Sequence, residues 1–258
     1  MDTRNKAVNT AQPTMLHQKL SFGATEAYKL LRTNVLFALP DEHKCRIVGV
    51  TSSLRGEGKS TTSINLSYTL AETGKRVLLI DADMRLPSVA QKMQINGTPG
   101  LSNMLVGMTD AQLSIRASGI LDSWFILPAG DVPPNPSELL GSKRMEKLLE
   151  AVSKDFDFIV VDLPPVNIVT DALVISPYID GMIVVVKEGH TDRSSLNNCT
   201  RQLKLSRVKI LGFVLSMAKD VYGSYGRYKK NRYYKYYKSH GYKESGEKKK
   251  KWKFLRKD

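Results

Sequence analysis

One glycine-rich segment constrains the fold more than any other part of the sequence. It reads S-S-L-R-G-E-G-K-S-T over residues 52–61, directly after an apolar run and directly before a helical pattern. Gly56 and Gly58 allow the backbone to curl so that successive N–H groups point toward one centre, and the following helix adds its positive N-terminal end. A strand, a glycine-rich loop and a helix in this order predict a loop that binds phosphate.

Short apolar runs alternate with amphipathic segments along most of the chain. Nearly continuous β-branched runs predict buried strands at residues 46–51, 76–81, 124–128, 158–162, 182–187 and 209–215. A helical period predicts helices at residues 26–38, 59–73, 137–154, 170–178 and 192–205. This alternation predicts an α/β fold with a mostly parallel sheet flanked by helices, whose ligands bind beyond the carboxyl ends of the strands.

Positive charge and tyrosine are concentrated at the C-terminal end. Residues 221–258 hold 14 Lys and Arg against 3 Asp and Glu, which is +11 of the formal net charge of +14. Eight of the 11 tyrosines lie there: Tyr222, Tyr225, Tyr228, Tyr233, Tyr234, Tyr236, Tyr237 and Tyr242. So few aliphatic residues cannot offset the entropy of ordering this segment. We therefore predict a flexible segment over residues 1–21, a folded domain over 22–219 and a disordered tail over 220–258.

Several classes of protein are disfavoured by what the sequence lacks. The two cysteines, Cys45 and Cys199, are too few for a disulfide framework and do not have metal-ligand spacing, which favours a reducing, cytosolic setting. The polar N-terminus does not resemble a signal peptide, and no apolar run approaches the length of a membrane span. We expect a protein that is neither secreted nor embedded in a membrane.

The phosphate loop and two groups of carboxylates predict a site for ATP and Mg²⁺. Lys59 is expected to reach the β- and γ-phosphates, and the Ser60 hydroxyl to bind the metal ion. Asp162 ends the apolar run F-I-V-V-D, where a metal-binding aspartate is expected. Asp81 and Asp83 lie two apart at another strand end, so both point to the same side. The structural alternatives are a turn that only caps a helix and acidic strand ends that are simply solvated.

Together these motifs resemble the bacterial tyrosine kinases of capsule and exopolysaccharide systems, a branch of the P-loop ATPase superfamily. The resemblance extends from about residue 21 to the C-terminus, and the tyrosine cluster completes it. Its further motifs are L-I-D-A-D-M-R-L-P at 79–87, P-P-N-P-S-E-L-L at 133–140 and D-L-P-P-V at 162–166. It implies a P-loop NTPase core like that of the partitioning ATPases.

The resemblance also implies roles for individual residues. The expected nucleotide-binding residues are Ser53, Arg55, Gly56, Glu57, Gly58, Lys59, Ser60 and Thr61. The expected catalytic residues are Lys59, Asp81, Asp83 and Asp162, of which Asp83 and Asp162 bind Mg²⁺ with Ser60, while Asp81 activates the acceptor hydroxyl. The eight tail tyrosines are the expected phosphoacceptors.

Partners are implied by the resemblance as well. They are the cytoplasmic segment of a membrane activator, further copies of the chain in a ring, protein tyrosine substrates and a cognate tyrosine phosphatase. The implied location of the protein is the cytoplasm, with recruitment to the inner face of the cell membrane. The segment E-A-Y-K-L-L-R is similar to the self-association motif of the family and places Glu26, Lys29 and Arg32 on one helix face. Spacing alone favours an exposed, salt-bridged face instead.

A second class remains open, the ATPases that position chromosomes and septa, with the basic tail as a tether to membrane or DNA. Their phosphate loop carries a signature lysine where this chain has Leu54, although Arg55 is adjacent and cationic. Ser216 stands where adenine-reading relatives often place Asn. The basic, aromatic stretch 248–257 suits an anionic membrane surface. Nucleic acid is the least favoured partner, because the first 220 residues are nearly neutral and offer no basic platform.

Overall fold

A seven-stranded sheet forms the centre of the computed structural model, which describes residues 15–39 and 44–218. The strands are β1 (Arg46–Ser52), β2 (Val77–Asp81), β3 (Arg116–Ala117), β4 (Trp124–Leu127), β5 (Phe158–Asp162), β6 (Gly181–Lys187) and β7 (Ile210–Ser216). Their order is β3-β4-β2-β5-β1-β6-β7, and every neighbouring pair is parallel except β3 with β4. The predicted α/β fold with a mostly parallel sheet is confirmed.

Helices cover both faces of this sheet. They are α1 (Phe22–Ala38), α2 (Lys59–Ala71), α3 (Val89–Met93), α4 (Leu101–Leu105), α5 (Ala111–Ser114), α6 (Pro136–Leu140), α7 (Lys143–Val152), α8 (Asp171–Val174) and α9 (Arg193–Leu205). The α1 and α2 side buries residues such as Val48 and Leu79. The α7 and α9 side buries the alternate residues of the same strands, such as Ile80 and Ile159. Burial on both faces explains why the central strands read as continuous apolar runs.

The predicted helices differ from the observed ones where short polar residues intervene. The segment predicted as one helix over 137–154 is α6 followed by α7, because Gly141 and Ser142 interrupt it. The Ser142 hydroxyl accepts the N–H of Met145 and so begins the second helix. The segment 170–178 is likewise α8 followed by a 3-10 turn at Ser176–Tyr178. Both differences are local and leave the predicted order of elements intact.

The packed part of the chain begins earlier than predicted. Met15 is buried in the α1 and α2 core, and the Leu16 N–H donates to the Asn65 side chain of α2 at 2.8 Å. The part of the predicted segment 1–21 that the structure describes, from Met15 onward, is therefore attached to the domain. A long apolar side chain and one hydrogen bond to a buried amide hold this segment, although its polar composition gave no periodic signal.

The C-terminal predictions concern residues that the structure does not describe. The folded unit ends at Met217. The predicted tail, with the phosphoacceptors from Tyr222 to Tyr242 and the basic stretch 248–257, lies outside the described residues. Among the helices at residues 15–39 and 44–218, none is long and apolar enough to cross a membrane.

The two cysteines provide a test of this packing. Cys45 and Cys199 are both buried, and burial is the main cause that raises the pKa of each thiol to about 11. Because alkylation and disulfide exchange require the thiolate, we expect almost no labelling of the native protein at pH 8 and full labelling of both thiols in guanidinium chloride. Titration with a chromogenic thiol reagent measures this. Rapid labelling of either thiol in the native protein would contradict the burial described here.

Candidate active site

The glycine-rich loop joins β1 to α2 at the carboxyl edge of the sheet. Gly56 has φ of 74° and Gly58 has φ of 93°, a left-handed region that side chains with a Cβ disfavour. Lys59 is the first residue of α2, directly after this turn. The loop therefore has the curled form that the sequence predicted, and its backbone N–H groups lie at the positive end of the 13-residue helix α2.

Glu57 fixes the loop from beneath. Its side chain is fully buried, and one carboxylate oxygen accepts the Leu54 N–H at 2.9 Å. The other carboxylate oxygen accepts the Thr191 hydroxyl, which lies just before α9. The Ser216 hydroxyl at the end of β7 donates to the Glu57 carbonyl oxygen at 2.5 Å. Glu57 thus ties the phosphate loop to two other elements, and Ser216 is part of this tie.

Not every predicted nucleotide-binding residue faces the cleft. A cleft of about 330 Å³ is lined on its loop side by Arg55, Gly56, Gly58, Lys59, Ser60 and Thr61. The side chains of Ser53 and Glu57 are buried instead. Ser53, which replaces the first glycine of the usual pattern, lies beside the Cys199 thiol of α9. The side chains of these two residues support the shape of the loop, so in the predicted nucleotide site only their backbone groups face a ligand.

Three carboxylates meet one lysine beneath the loop. Asp81 and Asp162 are direct neighbours in the register of β2 and β5. The Lys59 ammonium donates to the Asp83 carboxylate at 2.6 Å, and the Ser63 hydroxyl donates to Asp162 at 3.0 Å. All three carboxylates are at least nine-tenths buried. The predicted catalytic residues are therefore brought together by the parallel pairing of strands far apart in sequence.

Burial and mutual repulsion set the electrostatics of this cluster. Burial is the main cause that raises the pKa of Asp81 to about 7, and the charge of Asp162 is the second. The backbone N–H groups of Val89 and Ser88 and the charge of Lys59 lower this pKa but do not outweigh them. Burial also raises the pKa of Asp162, although Lys59, Ser60 and Ser63 lower it. For Lys59, burial lowers the pKa, but the charges of Asp162 and Asp83 outweigh it and raise the pKa. An ammonium at Lys59 is thus stabilised by an excess of carboxylates.

Asp81 and Asp83 have different surroundings. Asp81 is fully buried and does not line the cleft; it accepts the N–H groups of Asp83, Ser88 and Val89 at 3.2, 3.1 and 3.0 Å. Asp83 does line the cleft. The predicted role of Asp81 toward an acceptor hydroxyl stays a prediction, and in this arrangement backbone N–H groups occupy its carboxylate. Of the two carboxylates, Asp83 is the one that lines the cleft.

A divalent cation fits beside Asp162. Its Oδ2 atom is buried and has no hydrogen-bond partner among the described residues, which costs roughly 1–3 kcal/mol for an ordinary polar group. The Ser60 hydroxyl lies next to the same carboxylate. A carboxylate and a hydroxyl are ligands that Mg²⁺ accepts, with water and phosphate oxygens completing its shell. Asp83 is less available, because its two oxygens already accept Lys59 and the Leu86 N–H.

An ion pair between a partly exposed arginine and a buried carboxylate joins one wall of the cleft to α8. The Arg85 guanidinium contacts Asp171 of α8 through two hydrogen bonds at 2.9 and 3.0 Å. The Ser137 hydroxyl of α6 donates to the same carboxylate at 2.5 Å and accepts from Arg85 at 3.1 Å. The pair joins the motifs at 79–87 and 133–140, which sequence analysis identified without assigning them a contact. Asp171 was missed because it ends no apolar strand.

The residues predicted to mediate self-association do not form one outward-facing group. Lys29 and Glu26 pair at 2.9 Å on the exposed side of α1, as the salt-bridged alternative predicts. Arg32 donates to the Thr69 carbonyl oxygen at 3.0 Å and so holds α1 against α2. Glu26 and Lys29 remain accessible to another copy of the chain, whereas part of the Arg32 guanidinium is committed within the domain.

Comparison with known proteins agrees with this architecture. A model of an AAA domain matches residues 45–208. The tyrosine-protein kinase CpsD of Streptococcus agalactiae is 36% identical over 209 residues, 80% of this chain and 90% of the relative. The tyrosine-protein kinase YwqD of Bacillus subtilis is 36% identical over 208 residues, 78% and 86% of the two chains. The chimerical protein CapA2B2 superposes with a TM-score of 0.74 at 31% identity, and the match covers 79% of this chain and 90% of that protein.

The class that positions septa shares the fold at lower identity. The septum site-determining protein MinD of Pyrococcus horikoshii, solved with Mg-ADP, has a TM-score of 0.56 and 24% identity over 66% of this chain and 70% of its own. Identity at this level shows the fold alone. Sequence relatedness therefore favours the kinases over the positioning ATPases.

The contacts of the Glu57 carboxylate with Leu54 and Thr191, which we call the clamp, give a prediction for Glu57→Ala. The change removes the acceptors of Leu54 and Thr191, each contributing roughly 0.5–1.5 kcal/mol when paired, so the free loop samples more conformations. We expect the affinity for a fluorescent ATP analogue to fall about tenfold, while the far-ultraviolet circular dichroism stays unchanged. Glu150→Ala on the exposed side of α7 is the matched control and should bind like the unaltered protein. Unchanged affinity in Glu57→Ala would show that the clamp does not order the loop.

Proposed function

The chain belongs to the family of bacterial tyrosine-protein kinases, and on this premise we propose that it transfers phosphate from Mg-ATP to its own C-terminal tyrosines. In this proposal the reaction regulates the synthesis and export of capsular or other extracellular polysaccharide. The observation that carries it is the meeting of Lys59, Asp83 and Asp162 beneath the phosphate loop, where Lys59 and Asp83 also line the cleft. The sequence adds a cluster of eight acceptor hydroxyls between residues 222 and 242.

Phosphate binding is assigned to the loop and to Lys59. The N–H groups of the curled loop and the N-terminus of α2 face the triphosphate, and Lys59 exchanges Asp83 for oxygens of the β- and γ-phosphates. This exchange frees an Asp83 oxygen at the moment when ATP is in place. Ser60 and Asp162 would hold Mg²⁺, which when bound neutralises charge on the phosphate oxygens.

The second substrate is the phenolic hydroxyl of a tyrosine. We assign Asp83 to accept the hydrogen bond of this hydroxyl, because Asp83 faces the cleft and Asp81 does not. The phenolic oxygen forms a bond to the γ-phosphorus, the bond from that phosphorus to the β,γ-bridging oxygen breaks, and ADP leaves. The phenolic proton passes to the carboxylate and then to solvent. The products are ADP, phosphotyrosine and one proton.

The proposed partners and location follow from family membership. The proposal places the protein in the cytoplasm at the inner membrane face, where the cytoplasmic segment of a membrane activator stimulates it. Copies of the chain form a ring through the face that carries Glu26 and Lys29, and phosphorylation of the cationic tail disperses the ring by changing its charge. Other protein substrates and a cognate tyrosine phosphatase complete the cycle, and nucleic acid is not a partner.

The catalytic assignment predicts different outcomes for the two neighbouring carboxylates. With Mg-ATP and an activator fragment, the unaltered protein should acquire phosphotyrosine, and Lys59→Met should lose at least about a hundredfold in rate because a charge that stabilises the transition state is gone. Asp83→Asn should lower kcat with little change in the KM for ATP or in the melting temperature. Asp81→Asn should lower the melting temperature as well, because the Asp81 carboxylate accepts three backbone N–H groups. Phosphotyrosine immunoblotting and a melting curve measure these effects. If the unaltered protein acquires no phosphotyrosine even with Mg-ATP and the activator fragment, the kinase proposal is wrong.

Truncation after residue 219 separates the kinase from a positioning ATPase. The truncated chain keeps every described residue of the site, so it should still bind ATP and should phosphorylate a synthetic peptide of residues 220–245 added in trans. Its own phosphotyrosine should fall to near zero. A positioning ATPase would instead hydrolyse ATP without labelling the peptide. Radiolabelled phosphate transfer and release of inorganic phosphate are measured side by side.

A further inference from the structure

The outer end of the active-site cleft combines exposed apolar side chains with a cation. Leu86 is 54% exposed and Ile168 is 47% exposed, and both line the cleft beyond Asp83. Val169 lies beside them in the same lining. The phosphate loop contributes to the same lining. Apolar side chains left open at the mouth of a polar cleft suit a flat, partly apolar group such as a tyrosyl ring.

In-line transfer indicates which wall the acceptor uses. The attacking oxygen and the leaving oxygen lie on opposite sides of the γ-phosphorus. Because the loop holds the β-phosphate side, we expect the tyrosyl ring to enter past lining residues outside the loop, among them Leu86 and Ile168. The hydroxyl then reaches Asp83, which shares this lining and pairs with Lys59. Residues next to the acceptor in its own peptide must consequently pass along the rim of this outer end.

Lys92 is a half-buried cation of this lining outside the phosphate loop. Of the other cations that line the cleft, Lys59 pairs with Asp83 and Arg85 with Asp171, while Arg55 is an exposed residue of the loop itself. Lys92 of α3 is half-buried and lines the cleft, yet within residues 15–39 and 44–218 it has no hydrogen-bond or ion-pair partner. A half-buried ammonium without a partner loses hydration and gains nothing in return, so an anionic ligand is the natural complement.

Resting on the proposed kinase function, we propose that Lys92 binds the phosphate of a phosphotyrosine that lies close to the acceptor tyrosine in the same peptide. The tail sequence contains the pairs Tyr233–Tyr234 and Tyr236–Tyr237 among lysines and arginines. Before phosphorylation such a peptide is cationic and gains nothing from Lys92. One phosphate adds about −1.5 to −2 charges and three acceptor oxygens. The first phosphotyrosine therefore makes the tyrosines next to it better substrates. Phosphorylation of the tyrosine cluster then spreads from the first phosphotyrosine to adjacent tyrosines.

Peptides of residues 230–239 test this with the full-length protein. In each peptide Tyr234 is the sole acceptor, because phenylalanine replaces Tyr233 and Tyr237, and position 236 carries phosphotyrosine, glutamate or phenylalanine. Transfer from radiolabelled ATP gives KM for each peptide. We expect the phosphotyrosine peptide to have a KM about five- to tenfold below that of the phenylalanine peptide, as expected for one charge-assisted contact. The KM of the glutamate peptide should be close to that of the phenylalanine peptide, because its carboxylate has only one charge and two oxygens.

Variants at position 92 assign the preference to this side chain. In Lys92→Gln the ratio of the two KM values should fall to about one, and Lys92→Arg should restore most of it because a cation remains. Lys147→Gln, which removes an exposed lysine of α7 outside the cleft, is the matched control and should keep the full preference.

The possible outcomes separate this inference from the proposed function. Phosphorylation of all three peptides with equal KM overturns the inference and leaves the kinase intact, as does a preference that survives in Lys92→Gln. An equal gain from glutamate shows a site for acidic sequences and overturns the role of a prior phosphate. No transfer to any peptide removes the proposed function, and this inference with it.

Discussion

The buried charge cluster at the carboxyl edge of the sheet determines how the rest of the domain is arranged. Three carboxylates in a water-poor site repel one another, and burial alone disfavours their charged forms. Their compensation comes from one ammonium at Lys59, from N–H groups donated to Asp81, and from the Ser63 hydroxyl at Asp162. Lys59 reaches them only because the left-handed Gly58 turns the chain into α2 at that point. The parallel register of β2 with β5 places the carboxylates side by side, so sheet order and site chemistry are inseparable.

The loop above this cluster needs a second anchor, because a run of backbone N–H groups that all face a ligand has few partners of its own. Glu57 provides it from below, since its carboxylate accepts from Leu54 and Thr191 while its carbonyl oxygen accepts from Ser216. The signature lysine of the positioning ATPases would stand at Leu54, whose N–H is one of the bound groups. Leu54 is thus fixed by its backbone, and its side chain is free to be apolar. The form of the loop therefore does not depend on a charged side chain at position 54.

Much of this architecture was accessible from sequence, for identifiable reasons. Six strands and the phosphate loop were predicted because buried parallel strands read as apolar runs and because glycines at 56 and 58 meet a specific backbone need. The two-residue strand β3 and the short helices α3 to α5 carry too few residues for any period to show. The partnership of Arg85 with Asp171 joins positions 86 residues apart, which no local pattern reveals. The different surroundings of Asp81 and Asp83 were also hidden, because they depend on backbone donors supplied by the turn into α3.

The cations of the cleft show how pairing decides function. Arg85 is held by a fork of two hydrogen bonds to a fully buried carboxylate, and a guanidinium held in this way braces α6 and α8 rather than seeking a ligand. Lys59 is paired through a single contact with Asp83, on a flexible stem, and a triphosphate with several negative oxygens competes well for it. In the proposed reaction, release of Lys59 from Asp83 frees this carboxylate when the nucleotide is in place, so the binding of one substrate prepares the contact with the other. The 2.6 Å contact between Lys59 and Asp83 and the competing charge of the triphosphate support this proposed order.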